Sequence, residues 1–274
     1  MKKQNYLNNR DLLTEIHKSK NNFSSFTKPE YADYDAIVHD ISEINQDTII
    51  AAKKSKAKSL KQRNLEQARQ KYPKAKASDF DVDYQTIDKQ DLVFRVMTYD
   101  HIPDDPSRKK NPKSDSDFKI KLNFPPFQHF KYNENDELVC VGKSHWIGDM
   151  EHGYFSSDHA QATEKLALMW MRLCDRYSTK ANFRGYTYND EMKGQAILQL
   201  AQIGLQFDES KSDNPFSYYT AVVTNSFVRV INVEKKNQSI RDDILEMNNL
   251  NPSYTRQHNE EWQSSLRNQI INDA

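Results

Sequence analysis

Apolar residues are spread unevenly along this chain, and beyond residue 161 they recur at spacings of three and four. That period places side chains on one face of an α-helix. A first helix would bury a stripe formed by Leu166, Met169, Trp170, Leu173 and Tyr177. Asp190 begins a second helix, which would bury Met192, Ala196, Leu200, Ile203 and Phe207. A third helix is predicted from Phe216 to about Lys236, because Pro215 suits a first helical turn.

Composition limits how much of the chain one core can contain. Of the 274 residues, 36% are hydrophobic and 28% are charged, against averages of about 45–50% and about 25%. We therefore expect a modest helical domain with long polar extensions. From the N-terminus, the predicted parts are a helical arm at 1–28, a polar and basic extension at 29–116, a small β element at 117–160, the helical domain at 161–241 and a tail at 242–274.

Several classes of protein are excluded by what the sequence lacks. Six glycines are too few for a glycine-rich phosphate-binding fold. No run of about 18 apolar residues predicts a membrane helix. Two cysteines cannot form a disulfide framework, which indicates a reducing compartment. No phosphate-loop, Gly-x-Ser-x-Gly or paired His-Glu motif occurs, so we expect neither an enzyme nor a bound cofactor.

The N-terminal half carries weaker patterns. Leu12, Leu13 and Ile16 predict one short helix. Within 35–50 the same helical spacing is repeated by Ile37, Ile41 and Ile44. Beyond a loop at 104–116, alternating residues predict a small β-hairpin or three-stranded element from the segments 118–122, 127–132 and 138–141, with a turn at 133–136.

A block of positive charge lies between Lys53 and Lys76. It contains ten basic residues against the single acid Glu66, which gives a local charge of +9. The block is predicted to be helical from Lys53 to about Gln70 and to end at Pro73. Such a block is a candidate nucleic-acid contact. The alternative is a solvated helix or a disordered linker.

The third predicted helix combines aromatic and basic side chains. It begins with Phe216, Tyr218 and Tyr219 and continues through Asn225 and Arg229 to Lys235 and Lys236. Aromatic rings can stack on unpaired bases, worth about 1–3 kcal/mol each, while cations bind phosphates. An asparagine can also bind a base edge. The alternative is that Phe216, Tyr219 and Phe227 are core residues and the lysines favour a helix C-terminus.

Cysteine and histidine spacing gives little support for a metal site. Cys140, His145, His152 and His159 are five, seven and seven residues apart, which matches no compact zinc finger. We interpret the histidines as ordinary loop residues and expect no bound metal. Cys174 lies among apolar neighbours and is predicted to be core. The acids Asp190 and Glu191 suit a helix N-terminus better than a nuclease site.

Four segments together resemble one protein family. Residues 5–13 read Asn-Tyr-Leu-Asn-Asn-Arg-Asp-Leu-Leu, and 182–187 read Asn-Phe-Arg-Gly-Tyr-Thr. A third segment runs at matching length from Glu191-Met192 to Phe207-Asp208-Glu209. The fourth comprises Asn214-Pro215, Asn225-Ser226-Phe227-Val228 and Glu234-Lys235-Lys236. Over about residues 5–16 and 165–236, the chain resembles the late-transcription sigma factors of T4-like phages.

The resemblance implies a fold and a function. This family is similar to the second conserved region of bacterial sigma factors. The expected fold is therefore a mainly α, sigma region 2-like helical bundle with an N-terminal helical extension and a small β-hairpin insertion. The expected function is promoter-specific initiation of late transcription at a short AT-rich element, in the cytoplasm of an infected bacterial host. The implied partners are the host RNA polymerase core, promoter DNA and a separate phage coactivator, with no membrane.

The resemblance also implies two binding sites. The second helix would dock on the clamp coiled coil of the polymerase β′ subunit through its exposed polar residues, Glu191, Gln195, Gln199 and Gln202. The third helix would capture flipped bases with Phe216, Tyr218 and Tyr219. It would contact bases or backbone with Asn225, Arg229, Lys235 and Lys236.

The chain departs from this family at three places. Val222 and Val223 stand where housekeeping sigma factors carry a tryptophan pair, so melting would depend on the tyrosines or on partners. About 130 residues, from near Ser24 to near Ser157, have no counterpart of that size. The family's tail motif, which is hydrophobic and acidic and binds the replication sliding clamp, is matched only by Leu266, Ile270 and Ile271, with few acids. Coupling to a sliding clamp therefore stays open.

A second hypothesis comes from another functional class. The chain would then be a nucleic-acid-binding phage protein that modifies host RNA polymerase without promoter recognition. In that case the basic block and the β element would provide the binding surface, and substitutions on the third helix would change affinity alone.

Overall fold

The computed structural model describes residues 7–73, 75–107, 111, 113, 117–158 and 161–272. Over these residues the chain is mainly α-helical, as predicted, and it also contains a small mixed β-sheet that is larger than the predicted hairpin. The helices are α1 (Asn9–Asn21), α2 (Gln46–Lys71), α3 (Glu164–Ser178), α4 (Asn189–Ile203), α5 (Pro215–Met247) and α6 (Tyr254–Asn272). The strands are β1 (Ser24–Phe26), β2 (Ala36–Val38), β3 (Val93–Val96), β4 (Gln128–Tyr132), β5 (Leu138–Ser144), β6 (Trp146–Ile147) and β7 (Tyr154–Phe155).

Contacts within the chain divide it into two units. The first unit comprises Met1–Trp170 with Ala201–Tyr219, and the second comprises Met171–Leu200 with Thr220–Ala274. The predicted N-terminal arm, basic extension and β element all fall in the first unit. The arm and the extension are built into its sheet, because they supply β1, β2 and β3.

The first unit contains a five-stranded sheet with the strand order β1-β5-β4-β3-β2. Strands β2 and β3 are parallel and are joined through α2, whereas the other neighbouring strands are antiparallel. The predicted hairpin is β4–β5, whose turn is held by the Asn133 side chain, since its oxygen accepts from the N–H groups of Asn135 and Glu137 at 2.9 Å each. A second, two-stranded sheet pairs β6 with β7.

Helix α2 covers one face of the five-stranded sheet. Its first turn is capped by Asn45, whose side-chain oxygen accepts from the N–H of Thr48 at 3.0 Å. Its small apolar residues bury against the sheet in a cluster of Ile49, Ala52, Ala57, Ile87, Leu92, Phe94 and Tyr132. Most of the polar and charged residues of this long helix therefore point away from the sheet.

The opposite sheet face carries a buried polar cluster, because Arg95 follows Phe94 on the strand and so points the other way. Arg95 is 1% exposed. Its guanidinium lies between the rings of Tyr34 and Phe127, 4.0 and 3.8 Å from their centroids. Its Nε donates to His129 Nε2 at 2.9 Å. Burial and the Arg95 charge hold the pKa of His129 well below its ordinary value, so this histidine is neutral.

An ion pair fixes α1 to the segment that precedes α5. Lys20 Nζ donates to the Glu209 carboxylate and to the carbonyl of Phe207, both at 2.7 Å, and both charged side chains are buried. Burial by itself raises the pKa of a carboxyl group, but the charges of Lys20 and Arg95 hold the pKa of Glu209 below its ordinary value. The pair therefore links residues 189 positions apart in sequence.

The second unit has its own apolar core. Its buried apolar residues include Leu173, Cys174, Phe183, Met192, Ala196, Leu200, Val222, Val223, Phe227, Val230 and Ile231. The rings of Phe183 and Phe227 meet edge to face at 5.1 Å. Cys174 is core, as predicted, and burial raises the pKa of its thiol to about 12. The burial of Phe227 agrees with the alternative interpretation of the third helix, in which this residue belongs to the core.

Two sequence predictions about local structure were wrong. Within 35–50, Ile37 lies in strand β2, because it pairs in parallel with Arg95 of β3 instead of continuing a helix. Within the described residues the segment 118–122 forms no strand, and it makes a single bridge there, between Asp104 and Lys119. For the tail the sequence predicted no secondary structure; it is helical over Tyr254–Asn272, and the side chains of Ile270 and Ile271 lie outside the described residues.

Breaking the buried ion pair should destabilise the protein strongly. In Lys20→Met, Glu209 keeps a buried charge without its partner, so we expect the free energy of unfolding to fall by about 3–5 kcal/mol. Urea denaturation measures the change. Lys18→Met is the matched control, because Lys18 pairs with Glu15 but is 61% exposed, and it should cost about 0–1 kcal/mol. Equal losses in both variants would contradict the role given to the pair.

Candidate nucleic-acid interface

The start of α5 is fixed by two asparagines from distant parts of the first unit. The Asn214 side-chain oxygen accepts from the N–H of Ser217 at 3.0 Å, which caps the helix. The Asn9 side-chain oxygen accepts from the N–H of Phe216 at 3.1 Å. Both bonds satisfy N–H groups that a helix leaves unpaired in its first turn. The beginning of the predicted promoter helix is therefore held by α1.

Tyr219 lies in the core of the first unit and not on the surface. It is 0% exposed, its hydroxyl donates to the carbonyl of Gly204 at 3.1 Å, and its ring meets Trp170 edge to face at 5.7 Å. Gly204 is required here, because a Cβ would lie 2.3 Å from the Trp170 ring. Burial raises the pKa of Tyr219. The expectation that Tyr219 stacks on a flipped base was wrong for this conformation, since its ring faces are covered.

The two neighbouring aromatic residues keep partly exposed rings. Phe216 and Tyr218 are both half-buried. The Tyr218 hydroxyl donates to the carbonyl of Ile203 at 2.9 Å, and its ring lies 5.6 Å from that of Phe207. Burial raises the pKa of Tyr218. Of the predicted aromatic cluster, these two residues retain surface that a base can reach.

A shallow groove of about 450 Å³ follows one face of α5 in the second unit. We call it the α5 groove; its lining residues are Asn225, Val228, Arg229, Asn232, Val233 and Lys236. Three of the predicted DNA-contacting residues, Asn225, Arg229 and Lys236, meet there because their spacings of four and seven return to one helix face. Lys235 is exposed but lies outside the groove, since one helix position turns a side chain by about 100°.

Asn232 is a groove residue that the sequence reasoning missed. It lies three positions after Arg229 and four before Lys236, the same helical spacing that the chosen residues share. Applying that spacing to the whole helix would have identified it. The groove thus presents two amides and two cations along about three helical turns.

Helix α4 carries the residues predicted to bind the polymerase core. Glu191, Gln195 and Gln202 are exposed, whereas Gln199 is half-buried. Among the exposed residues lies Leu198, with 54% of its surface accessible. Its position, three after Gln195 and four before Gln202, puts it on the same helix face. Sequence reasoning assigned this leucine no role because it selected only polar residues.

Most of the basic block, from Lys53 to Lys71, lies in α2, and acids of the same unit balance some of its charge. Lys56 pairs with Asp35 at 3.3 Å, Lys61 pairs with Asp81, and Arg63 lies 3.9 Å from Asp33. Lys54 lies over the ring of Tyr84. The block is therefore helical and partly neutralised, which weakens its prediction as a nucleic-acid contact. Lys74 lies outside the described residues.

The histidines considered for a metal site lie in separate surroundings. His145 is buried between Ser144 and Asn123, and burial lowers its pKa to about 3. His152 is exposed near Asp149, and His159 lies outside the described residues. Throughout the described part of the chain, no group of three or more His, Cys, Asp or Glu side chains is arranged to hold a metal ion.

Comparisons with known proteins give no further guidance. No family model matches the chain, and no curated protein or solved structure is significantly similar to it. Within the described residues, the helices are all too short or too polar to cross a bilayer.

Two substitutions at Tyr219 test whether its ring is part of the core. Tyr219→Ala opens a cavity beside Trp170, and we expect it to lower the free energy of unfolding by about 3–5 kcal/mol. Tyr219→Phe loses only the hydrogen bond to Gly204 and should cost about 0.5–1.5 kcal/mol. Thermal and urea denaturation of both variants measure this. A stable Tyr219→Ala protein would show that the ring is not a core element.

Proposed function

We propose that this chain is a phage late-transcription sigma factor. It binds the core RNA polymerase of a bacterial host and directs initiation at a short AT-rich late promoter, with a separate phage coactivator. The observation that supports this most is the packing of α1 against residues 163–165 and 207–216. Helix α1 carries most of the first matching range, 5–16, and it contacts Lys165, Phe207 and Phe216, which lie within the second matching range, 165–236.

The geometry of the long insertion is compatible with this proposal. His145 joins the two ends of the insertion, because its N–H donates to the carbonyl of Phe23 and its carbonyl accepts from the N–H of Ser156. An insertion whose ends lie side by side can be added to a fold without separating the flanking segments. The sigma-like segments before and after it therefore remain in contact.

The α5 groove supplies the chemistry that promoter binding requires. Arg229 and Lys236 can bind phosphates, and the amides of Asn225 and Asn232 can bind base edges. Unstacking a base costs a few kcal/mol. Stacking on the exposed parts of Phe216 and Tyr218 offsets this cost by about 1–3 kcal/mol for each base. In this proposal DNA opening depends on those two rings and on the groove, and not on Tyr219.

Core docking is assigned to the exposed face of α4. Glu191, Gln195 and Gln202 would surround Leu198, and Gln199 would contribute from the edge of this face. An exposed apolar side chain within a polar rim is typical of an energetic centre of a protein interface. The proposed partner of this face is the clamp coiled coil of the β′ subunit.

Transcription in vitro tests the promoter assignment. The chain is added to bacterial core RNA polymerase on premelted and fully paired templates with a TATA-rich element. The double variant Arg229→Ala/Lys236→Ala should lose promoter-specific initiation but keep core binding. If both residues bind phosphates, the salt slope of DNA binding should fall by about 1.8. Lys58→Ala/Arg69→Ala, which removes the same charge from exposed positions of α2, should behave like the unaltered protein.

Other outcomes of this experiment have defined meanings. Core binding without specific initiation, with affinity lost only in the α2 variant, would favour the polymerase-modifying protein without promoter recognition. Specific initiation that survives the α5 variant would keep the sigma factor and move its DNA contacts elsewhere. No core binding at all would contradict the proposal.

Core association should depend on the α4 face. Gln195→Arg and Leu198→Asp place a charge within the proposed interface and should each weaken co-elution with core polymerase by about tenfold or more. Gln67→Arg on α2, also exposed, serves as the control and should co-elute normally. Unchanged co-elution of both α4 variants at raised salt would refute the assignment.

A further inference from the structure

The C-terminal half of α5 exposes a row of large apolar side chains in the second unit. The exposed fractions are 51% for Val233, 47% for Ile240, 54% for Ile244 and 84% for Met247. Single exposed apolar residues are common on protein surfaces. A contiguous row of exposed apolar residues on one helix is uncommon. Such patches mark surfaces that bind another molecule.

The row has the spacing of a coiled-coil seam. Val233, Asn237, Ile240, Ile244 and Met247 are separated by four, three, four and three residues, which is the alternation of heptad positions d and a. We call these five residues the α5 seam. Asn237 occupies an a position and is exposed. A polar residue at a single a position typically fixes the register of a helix pair.

Polar contacts join α5 to the described side chains of α6, and to Ser253 just before it, at positions outside the seam. Asp242 accepts hydrogen bonds from the N–H and hydroxyl of Ser253, both at 2.8 Å. Arg256 pairs with Asp243 and Glu246. These polar contacts use Asp242, Asp243 and Glu246, while all five seam residues are exposed to solvent.

The charges beside the seam select the kind of partner. The flanking e and g positions hold Arg229, Glu234, Lys236, Arg241 and Asp243, and Asp243 is already paired with Arg256. The remaining flank charge is positive. A parallel pair of identical chains would bring Lys236 against Arg241, and an antiparallel pair with Ile240 opposite Ile244 would bring Arg241 against itself. In the parallel pair Arg229 would also face Glu234, which offsets one repulsion. An acidic partner helix would instead face the cations Arg229, Lys236 and Arg241 without any like-charge contact to them.

We infer that the α5 seam binds an amphipathic helix of another protein, with apolar residues at its a and d positions and acidic residues beside them. The seam begins within the α5 groove, because Val233 belongs to both. The partner helix would consequently lie next to the groove, beside Lys236. This inference does not depend on the proposed function, since it rests only on exposure, spacing and charge.

A designed peptide serves as the probe. It has four heptads with Ile at a, Leu at d, one Asn at the a position that faces Asn237, and Glu at e and g. The glutamates prevent the peptide from pairing with itself. Fluorescence anisotropy follows its titration with the full chain to about 1 mM, where even a contact of about 4 kcal/mol is half-occupied. The control peptide carries Lys at e and g.

We expect the acidic peptide to bind and the basic peptide not to bind. Ile244→Glu and Met247→Glu should each raise the dissociation constant by about tenfold or more. Ser239→Glu introduces the same charge at an exposed position off the seam and should change it less than about twofold. Circular dichroism confirms that the variants remain helical.

Three results would overturn the inference. The first is no binding of the acidic peptide, and the second is binding that persists in Ile244→Glu. The third is a dimer of the unaltered chain in sedimentation velocity that Ile244→Glu abolishes, because the occupant would then be a second copy. Transcription by the unaltered chain is measured separately, so failure of the sigma factor proposal and failure of this inference are distinguishable.

Discussion

The buried pair of Lys20 and Glu209 is the interaction on which the first unit depends, because it joins segments 189 residues apart. A buried charge is tolerated only when it is paired and hydrogen-bonded. Lys20 meets this condition with the Glu209 carboxylate and the Phe207 carbonyl. Arg95, which lies beneath Tyr34, adds a further positive charge that holds the pKa of Glu209 low. The Nη1 and Nη2 atoms of Arg95 have no acceptor among the described residues.

This arrangement gives the long insertion a structural role. The five-stranded sheet of the insertion packs against α2 on one face and carries the buried Arg95 cluster on the other. Acidic residues that follow the basic block in the sequence form ion pairs with it, as Asp81 does with Lys61. In the proposed sigma factor, the insertion would support α1 and the segment before α5, and promoter contacts would lie on α5 itself. The two ends of α5 differ in chemistry. Its aromatic start packs into the first unit, whereas its C-terminal half exposes the apolar α5 seam.

The candidate site could be predicted from the sequence in part. Helical spacing identified α3, α4 and α5, and the structure brings three of the predicted contact residues, Asn225, Arg229 and Lys236, into one groove. The same spacing could not show that Tyr219 turns into the core while Tyr218 stays half-exposed, because that depends on where Gly204 and Trp170 lie. Asn232 and Leu198 were missed for a different reason. Both residues lie at helical spacings that can be seen in the sequence. The predicted site residues were chosen by the resemblance and by their chemical type, so other residues on the same helix face were left out.

Local chemistry along the sequence determined the helices, their caps and the β4–β5 hairpin, since periodicity, Asn45 and Asn133 act over a few residues. Tertiary structure alone decided that Ile37 belongs to a strand, because a three-residue strand is stable only when β3 pairs with it. It also decided the burial of Lys20, Arg95 and Glu209. Sequence reasoning expects such residues to be solvated, and only a partner from a distant part of the chain makes their burial possible.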